Sequence, residues 1–285
     1  MILKDAHAKA QRRKEIQMSK AQPFFAPLRL CVSICLLSFA VGATAQTTND
    51  LSNAEIQGRN LAQQLLEQSP ITNFTQNGIL KIRDARGVTT NIPIFLETLV
   101  KTGYWEVHYV AGQTNYLVAP SVDLRIIQKN EQPNQYLFFE DKGKRLGDGE
   151  FYEHMNRVIE LNKIRIMSPF ANSDFWIADL GLEFFHWPEQ KILKRENSRG
   201  RICKVLESTN PNPSTNGYSR VDSWIDEETL GIVQAYAYDA QGKKLKEFYP
   251  KDFKKVDGQW QVGMMEMDNV QTGSRSRIEF DLKKN

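Results

Sequence analysis

The sequence predicts a mainly β (α+β) protein: a strongly curved antiparallel sheet, or incomplete β-barrel, with helices laid across it. Three observations lead there. Beyond residue 70 most of the chain falls into short runs of alternating apolar and polar residues, punctuated by Gly, Pro, Asn and Asp. Strand and helix patterns do not alternate regularly, which argues against a parallel α/β sheet. The few helix-like stretches are amphipathic or apolar on several sides, so they need a sheet to cover them.

The order of elements begins with an export signal. Residues 28–41 are an apolar run, with Arg29 at its start, preceded by Lys9, Arg12, Arg13, Lys14 and Lys20 and followed by Ala43-Thr44-Ala45, a small-x-small cleavage site. Basic, apolar and small segments in that order make a secretory signal over residues 1–45, and Met18–Ala45 forms a complete one if Met18 is the true start. The apolar run falls short of the roughly 20 residues that span a bilayer, and an uncleaved anchor is the rival reading. Cleavage leaves residues 46–285 as a single domain. It removes seven basic and two acidic side chains, so the +3 of the whole chain becomes −2. A nearly neutral chain has no global electrostatic reason to bind nucleic acid. Cys31 and Cys35 leave with the signal. Cys203 remains without a partner, and within Ile202-Cys-Lys-Val-Leu206 it reads as a small buried hydrophobe.

Ser52-Asn-Ala-Glu55 has capping-box spacing, and Ala54, Gly58, Leu61 and Leu65 share one face of the helix that follows, which Pro70 ends. Strands are predicted over residues 74–83, 89–100, 104–110, 122–128 and 135–140, with turns at 84–87, 102–103, 111–113 and 131–134. Residues 143–149 read as a charged, glycine-bearing loop and 150–161 as a short helix. Asn172-Ser173-Asp174 is a helix start, and 175–185 a helix stopped by Pro188. Strands follow over 191–196 and 202–207. A closing antiparallel meander runs from Tyr218 to Leu282, for about ten strands in all.

The residue patterns that carry chemistry are missing. The sequence has no Gly-x-Ser-x-Gly and no glycine-rich phosphate loop. His108, His154 and His186 are widely separated, without the spacing of a metal site. Asp226-Glu227-Glu228 lies where a turn is needed between Trp224-Ile225 and Ile232-Val233, so it reads as a solvated turn. No cofactor, metal or catalytic residue is expected, and the reading is not that of an enzyme.

Residues 175–187 are the exception to this blandness: Phe-Trp-Ile-Ala-Asp-Leu-Gly-Leu-Glu-Phe-Phe-His-Trp. On a continuous helix Trp176, Leu180, Phe184 and Trp187 share one face, while Phe175, Ile177, Leu182 and Phe185 lie off it. Such a helix is either sunk in the core or plugs an apolar cavity, with one side facing a ligand. Met264, Met265 and Met267 suit a cavity that adapts its shape. Trp176, Leu180, Phe184, Trp187, Met264 and Met265 are therefore the candidate cavity or lid residues.

The combination of Asp174-Phe-(x)3-Asp179-Leu, Cys203-Lys-Val-Leu, Tyr218-(x)5-Trp224-Ile-Asp226, Tyr238-Asp-Ala-Gln-Gly242-Lys-(x)2-Lys246 and Gly258-Gln-Trp260 resembles the LolA-like outer-membrane lipoprotein-sorting proteins. Phe74-(x)3-Gly78-(x)3-Ile82-Arg83 is similar to the first hairpin of that fold. The resemblance implies a LolA/LolB-like half-barrel around an apolar cavity, with a helical lid. It implies a periplasmic carrier in a Gram-negative bacterium that holds a lipid or the acyl chain of a lipoprotein. Its partners would be the acylated cargo and an inner-membrane transporter or an outer-membrane acceptor. An alternative on the same fold is an envelope-sensing regulatory module. The chain departs from the transport chaperone in a long insert over 143–170.

Overall fold

Alternating sequences bury one face of a sheet, and here every strand of the described residues joins the same one. The computed structural model describes residues 51–112, 122–130, 132–141, 156–256 and 259–282. The predicted signal, the 143–149 loop and His154 lie outside the described residues. After helix α1 (Asn53–Leu66) come β1 (Phe74–Arg83), β2 (Thr89–Lys101), β3 (Tyr104–Ala111), β4 (Val122–Gln128), β5 (Gln135–Asp141) and β6 (Asn156–Glu160). A crossing segment then carries a 3-10 turn (Phe170–Asn172), the single turn α2 (Ile177–Leu180) and a second 3-10 turn (Glu183–His186). The second half consists of β7 (Glu189–Ser198), β8 (Arg201–Thr209), β9 (Tyr218–Asp226), β10 (Ile232–Asp239), β11 (Lys244–Val256), β12 (Gln259–Asn269) and β13 (Arg275–Phe280).

Among the described residues, thirteen strands form one open antiparallel sheet in the order β6-β5-β4-β3-β2-β1-β13-β12-β11-β10-β9-β8-β7. The chain starts in the middle of the sheet and meanders to one edge. It then re-enters at the opposite edge and meanders back, so that β13 closes on β1, with Gly78 opposite Phe280 and Arg83 opposite Arg275. β6 and β7 are therefore the two edges, and the segment between them has to traverse a face of the sheet. That face is apolar. Leu80, Leu124, Ile126 and Ile278 are each fully buried there, packed against Phe170, Phe175 and Ile177 from the crossing segment.

Local chemistry sets the ends of several elements. The capping box forms as expected: Ser52 Oγ accepts the Glu55 N–H at 3.3 Å, and Glu55 Oε2 accepts the Ser52 N–H at 2.7 Å. The β10–β11 hairpin turns through Asp239-Ala-Gln-Gly242-Lys243, where the Asp239 carboxylate accepts the N–H groups of Gln241 and Lys243 and Gly242 takes φ +75°. Asp226-Glu-Glu-Thr229 is a turn, held by Thr229 Oγ1 donating to Asp226 Oδ2 at 2.7 Å. Helix α1 covers edge strand β7. Gly58 makes that approach close, since a Cβ there would lie 2.5 Å from the Lys191 nitrogen.

Three expectations are corrected. The described residues form thirteen strands rather than about ten. Of the helix expected over 150–161, the described part is strand β6, paired antiparallel with β5 from Leu137–Glu160 to Asp141–Asn156. An edge of backbone donors and acceptors on β5 decides this, because Asn-Arg-Val-Ile-Glu has no strong period of its own. The continuous helix expected over 175–185 is broken. Gly181 lies against the Tyr136 ring, Leu182 takes the left-handed conformation (φ 50°, ψ 40°), and only short turns survive on either side. A helix apolar all round would have needed cover all round. Breaking it sends Phe175 and Ile177 into one cluster and Phe184 and Phe185, with Leu61 and Tyr218, into another.

Candidate functional site

The crossing segment is held from three directions. It folds on itself, with the Ala178 N–H donating to the Ile166 carbonyl at 2.9 Å and the Phe170 N–H to the Phe175 carbonyl at 2.8 Å. It is tied to the start of β13, where the Asp174 carboxylate accepts from Ser276 Oγ at 2.7 Å and from Ser274 Oγ, in the turn just before the strand, at 2.6 Å. It is tied to β5, where Tyr136 Oη donates to Glu183 Oε2 at 3.0 Å and Asn134 Nδ2 to the Gly181 carbonyl at 2.7 Å. Burial pushes the Glu183 carboxyl above its usual range, against the pull of the Tyr136 hydroxyl. Ala171, Asn172 and Leu182 all have positive φ, a conformation that non-glycine residues keep only where surrounding contacts enforce it.

Between this segment and the concave side of β9–β12 the structure leaves a cavity of about 790 Å³. That size lies within the roughly 300–1,000 Å³ of small-molecule sites. Val221, Ala235, Ala237, Phe248, Met265 and Met267 form its sheet wall, and Leu180, Phe184 and Phe185 its opposite wall. The volume has a source in the sequence. Ala235-Tyr-Ala-Tyr238 alternates, so the two alanines face inward and leave space. The two tyrosines face outward, with Lys244 Nζ 3.8 Å from the Tyr236 ring centroid and the Arg220 guanidinium 3.8 Å from that of Tyr238.

Of the six candidate residues, Leu180, Phe184 and Met265 line the cavity. Met264 is one residue out of phase with the inward pair Met265 and Met267. Trp176 and Trp187 stand outside the lining: Trp176 stacks on Tyr218 (centroids 4.4 Å, planes 12° apart), and Trp187 packs edge-on against Phe184. Sequence reasoning passed over the inward alanines, whose small size in an alternating strand was the available signal.

It also passed over a polar cluster in this apolar setting. Lys246, on β11, is 1 % exposed and lines the cavity with Asp179. Its Nζ lies 3.6 Å from Asp179 Oδ2, an ion-pair distance, and 3.7 Å from the Trp176 ring centroid, with no acceptor within 3.5 Å among the described residues. Asp179 Oδ2 accepts the Trp176 N–H at 2.7 Å and the Tyr218 hydroxyl at 3.1 Å. Burial pushes Lys246 down to about 8, with Asp179 and Asp174 pulling it back up. Burial raises the Asp179 carboxyl, opposed first by Lys246. Among the described residues no group of His, Cys, Asp and Glu could hold a metal ion, and no helix is long and apolar enough to cross a membrane.

A family model whose description reads "Uncharacterized protein" matches residues 124–283, more than half of the chain. The chain belongs to that family. No curated protein matches the sequence significantly. Solved structures share its fold. A domain from Vibrio parahaemolyticus described as an outer membrane lipoprotein-sorting protein is 18% identical with a TM-score of 0.64, covering 80% of this chain and 92% of that one. A DUF1329 family protein from Desulfovibrio piger is 18% identical with a TM-score of 0.62, covering 82% and 96%. A LolA superfamily protein from Nitrosomonas europaea is 14% identical with a TM-score of 0.53, again covering 82% and 96%. The fold is LolA-like: an open antiparallel sheet with a chain segment across its concave face.

Proposed function

We propose that this family member is a periplasmic carrier that holds the acyl chain of a lipid or lipoprotein in its cavity, in outer-membrane lipoprotein or lipid sorting. The observation that carries the proposal is the apolar cavity between the curved sheet and the crossing segment. An acyl chain crossing water between two membranes needs such cover, and each buried methylene offsets about 0.8 kcal/mol. Ten methylenes thus contribute about 8 kcal/mol, the free energy of a micromolar complex, before the cost of ordering the chain. Aliphatic, aromatic and methionine walls make no directional bonds to the chain, so the protein can also release it. The export signal that the sequence predicts supports the compartment, and an inner-membrane transporter or an outer-membrane acceptor would be its membrane partners.

The test is native mass spectrometry of protein purified from a Gram-negative periplasm, followed by delipidation and titration with a fluorescent acyl probe. Co-purified lipid or acylated protein, and saturable probe uptake, are expected. Protein that is always empty and takes up no probe would sink the carrier reading. Crosslinking in cells then asks whether the protein captures many acylated partners, as a carrier does, or a single membrane protein, as a regulator does.

A further inference from the structure

The carrier reading explains the apolar walls but has no use for Lys246. An ammonium group on an apolar wall is costly to bury, and a hydrogen-bond donor left without an acceptor adds to that cost. Among the described residues Lys246 Nζ has one charged neighbour, Asp179 at 3.6 Å, and the faces of Trp176 and Tyr218, with no acceptor within 3.5 Å. An ammonium carries three N–H donors, and Asp179, which also accepts the Trp176 N–H and the Tyr218 hydroxyl, can take at most part of that set.

Building on the carrier reading, we propose that Lys246 Nζ donates to the carbonyl oxygen of the held acyl group, and that the site selects acyl esters and amides over free fatty acids. The charge count decides between those ligands. The ammonium is already balanced by Asp179, which lines the cavity beside it. A fatty-acid carboxylate would bring a second negative charge beside a cation that Asp179 already balances. An ester or amide carbonyl takes the vacant N–H and adds no charge. Esters and amides are also the forms in which acyl chains are joined to glycerol and to the amino groups of proteins. The lysine would thus mark the end of the chain that is attached to something else, while the methylenes lie along Ala235, Ala237 and Phe248.

The experiment compares monolaurin with laurate, an ester and a free acid of equal chain length, as competitors of a fluorescent acyl probe on the delipidated protein at pH 7.5. The unmodified protein should bind monolaurin about tenfold more tightly than laurate, the worth of roughly one buried hydrogen bond. The double variant Lys246→Met/Asp179→Asn removes the donor and its counter-charge together; it should lose that preference while still binding the probe. Equal or tighter binding of laurate by the unmodified protein would overturn the proposal, and that reading does not depend on how the variant folds. An unchanged monolaurin preference in a folded double variant would overturn it as well. Failure of the unmodified protein to bind either ligand or the probe removes the carrier reading itself, an outcome distinct from both.

Discussion

Ser276 and Asp174 hold each other in both directions: Ser276 Oγ donates to Asp174 Oδ2 at 2.7 Å, and the Asp174 N–H donates to Ser276 Oγ at 2.8 Å. Both residues are buried, and the pair fastens the crossing segment to the strand that closes the sheet. Ser276→Ala leaves the carboxylate short of one donor and the N–H without an acceptor. The expected loss is about 2–3 kcal/mol, seen as a lower urea midpoint with an unchanged slope. A midpoint equal to that of the unmodified protein would show that this tie does not stabilise the fold.

Gly58 sets two effects against each other. Alanine in a helix gains about 1 kcal/mol in propensity over glycine. At this position the new Cβ would lie 2.5 Å from the Lys191 nitrogen and 2.6 Å from the Gln190 carbonyl, both backbone atoms that cannot swing aside. Overpacking costs about 1–3 kcal/mol, so Gly58→Ala should destabilise the protein on balance. Thermal unfolding checks the sign; a raised Tm would mean that α1 can move away from β7 at little cost.

Ala235→Phe puts a ring into the space where the acyl chain is proposed to lie. Probe affinity should fall by at least about tenfold, equivalent to displacing about two methylenes. Because the substitution fills space rather than creating it, the far-ultraviolet circular dichroism spectrum should be retained. Tight probe binding by this variant would place the ligand elsewhere.

Lys246 makes stability depend on pH in a defined window. Its unfolded value is 10.5 and burial lowers the folded one to about 8. Between those values the unfolded chain holds a proton that the folded chain has released, so stability rises with pH across that interval. The gain is about 3 kcal/mol by pH 10.5 relative to pH 8 and below. It should appear as the difference in urea unfolding free energy between the unmodified protein and Lys246→Met/Asp179→Asn, measured at pH 8 and pH 10. A difference that stays flat over that range would mean the lysine is better hydrated than its burial implies.

Much of the fold was legible in the residues themselves. The alternation over Phe74–Arg83 and Val122–Gln128 marked both strands with their observed limits. Ser52 and Glu55 announced the first helix, and the alternating runs from Tyr218 to Leu282 announced an antiparallel meander. These are signals carried within a few residues, where the period of side-chain burial and the hydrogen bonds of one short turn decide the outcome. The LolA-like resemblance lay in the order of such motifs along the closing meander.

Tertiary structure alone decided the rest, because it depends on partners distant in sequence. Strand β6 exists because β5 offers it an edge. The aromatic stretch 175–187 has helical spacing, yet Tyr136 presses on Gly181 and the carboxylate of Asp174 is claimed by β13, so the chain breaks and shares its aromatics between two clusters. The sheet order that sends this segment across the concave face follows from β1 meeting β13. Lys246 looks like any strand lysine in the sequence. Only the stacking of Trp176 on Tyr218, with Asp179 brought alongside from the crossing segment, makes it a buried cation facing an apolar cavity. Alternation tells which residues turn inward, but what an inward residue meets is set by the opposite wall.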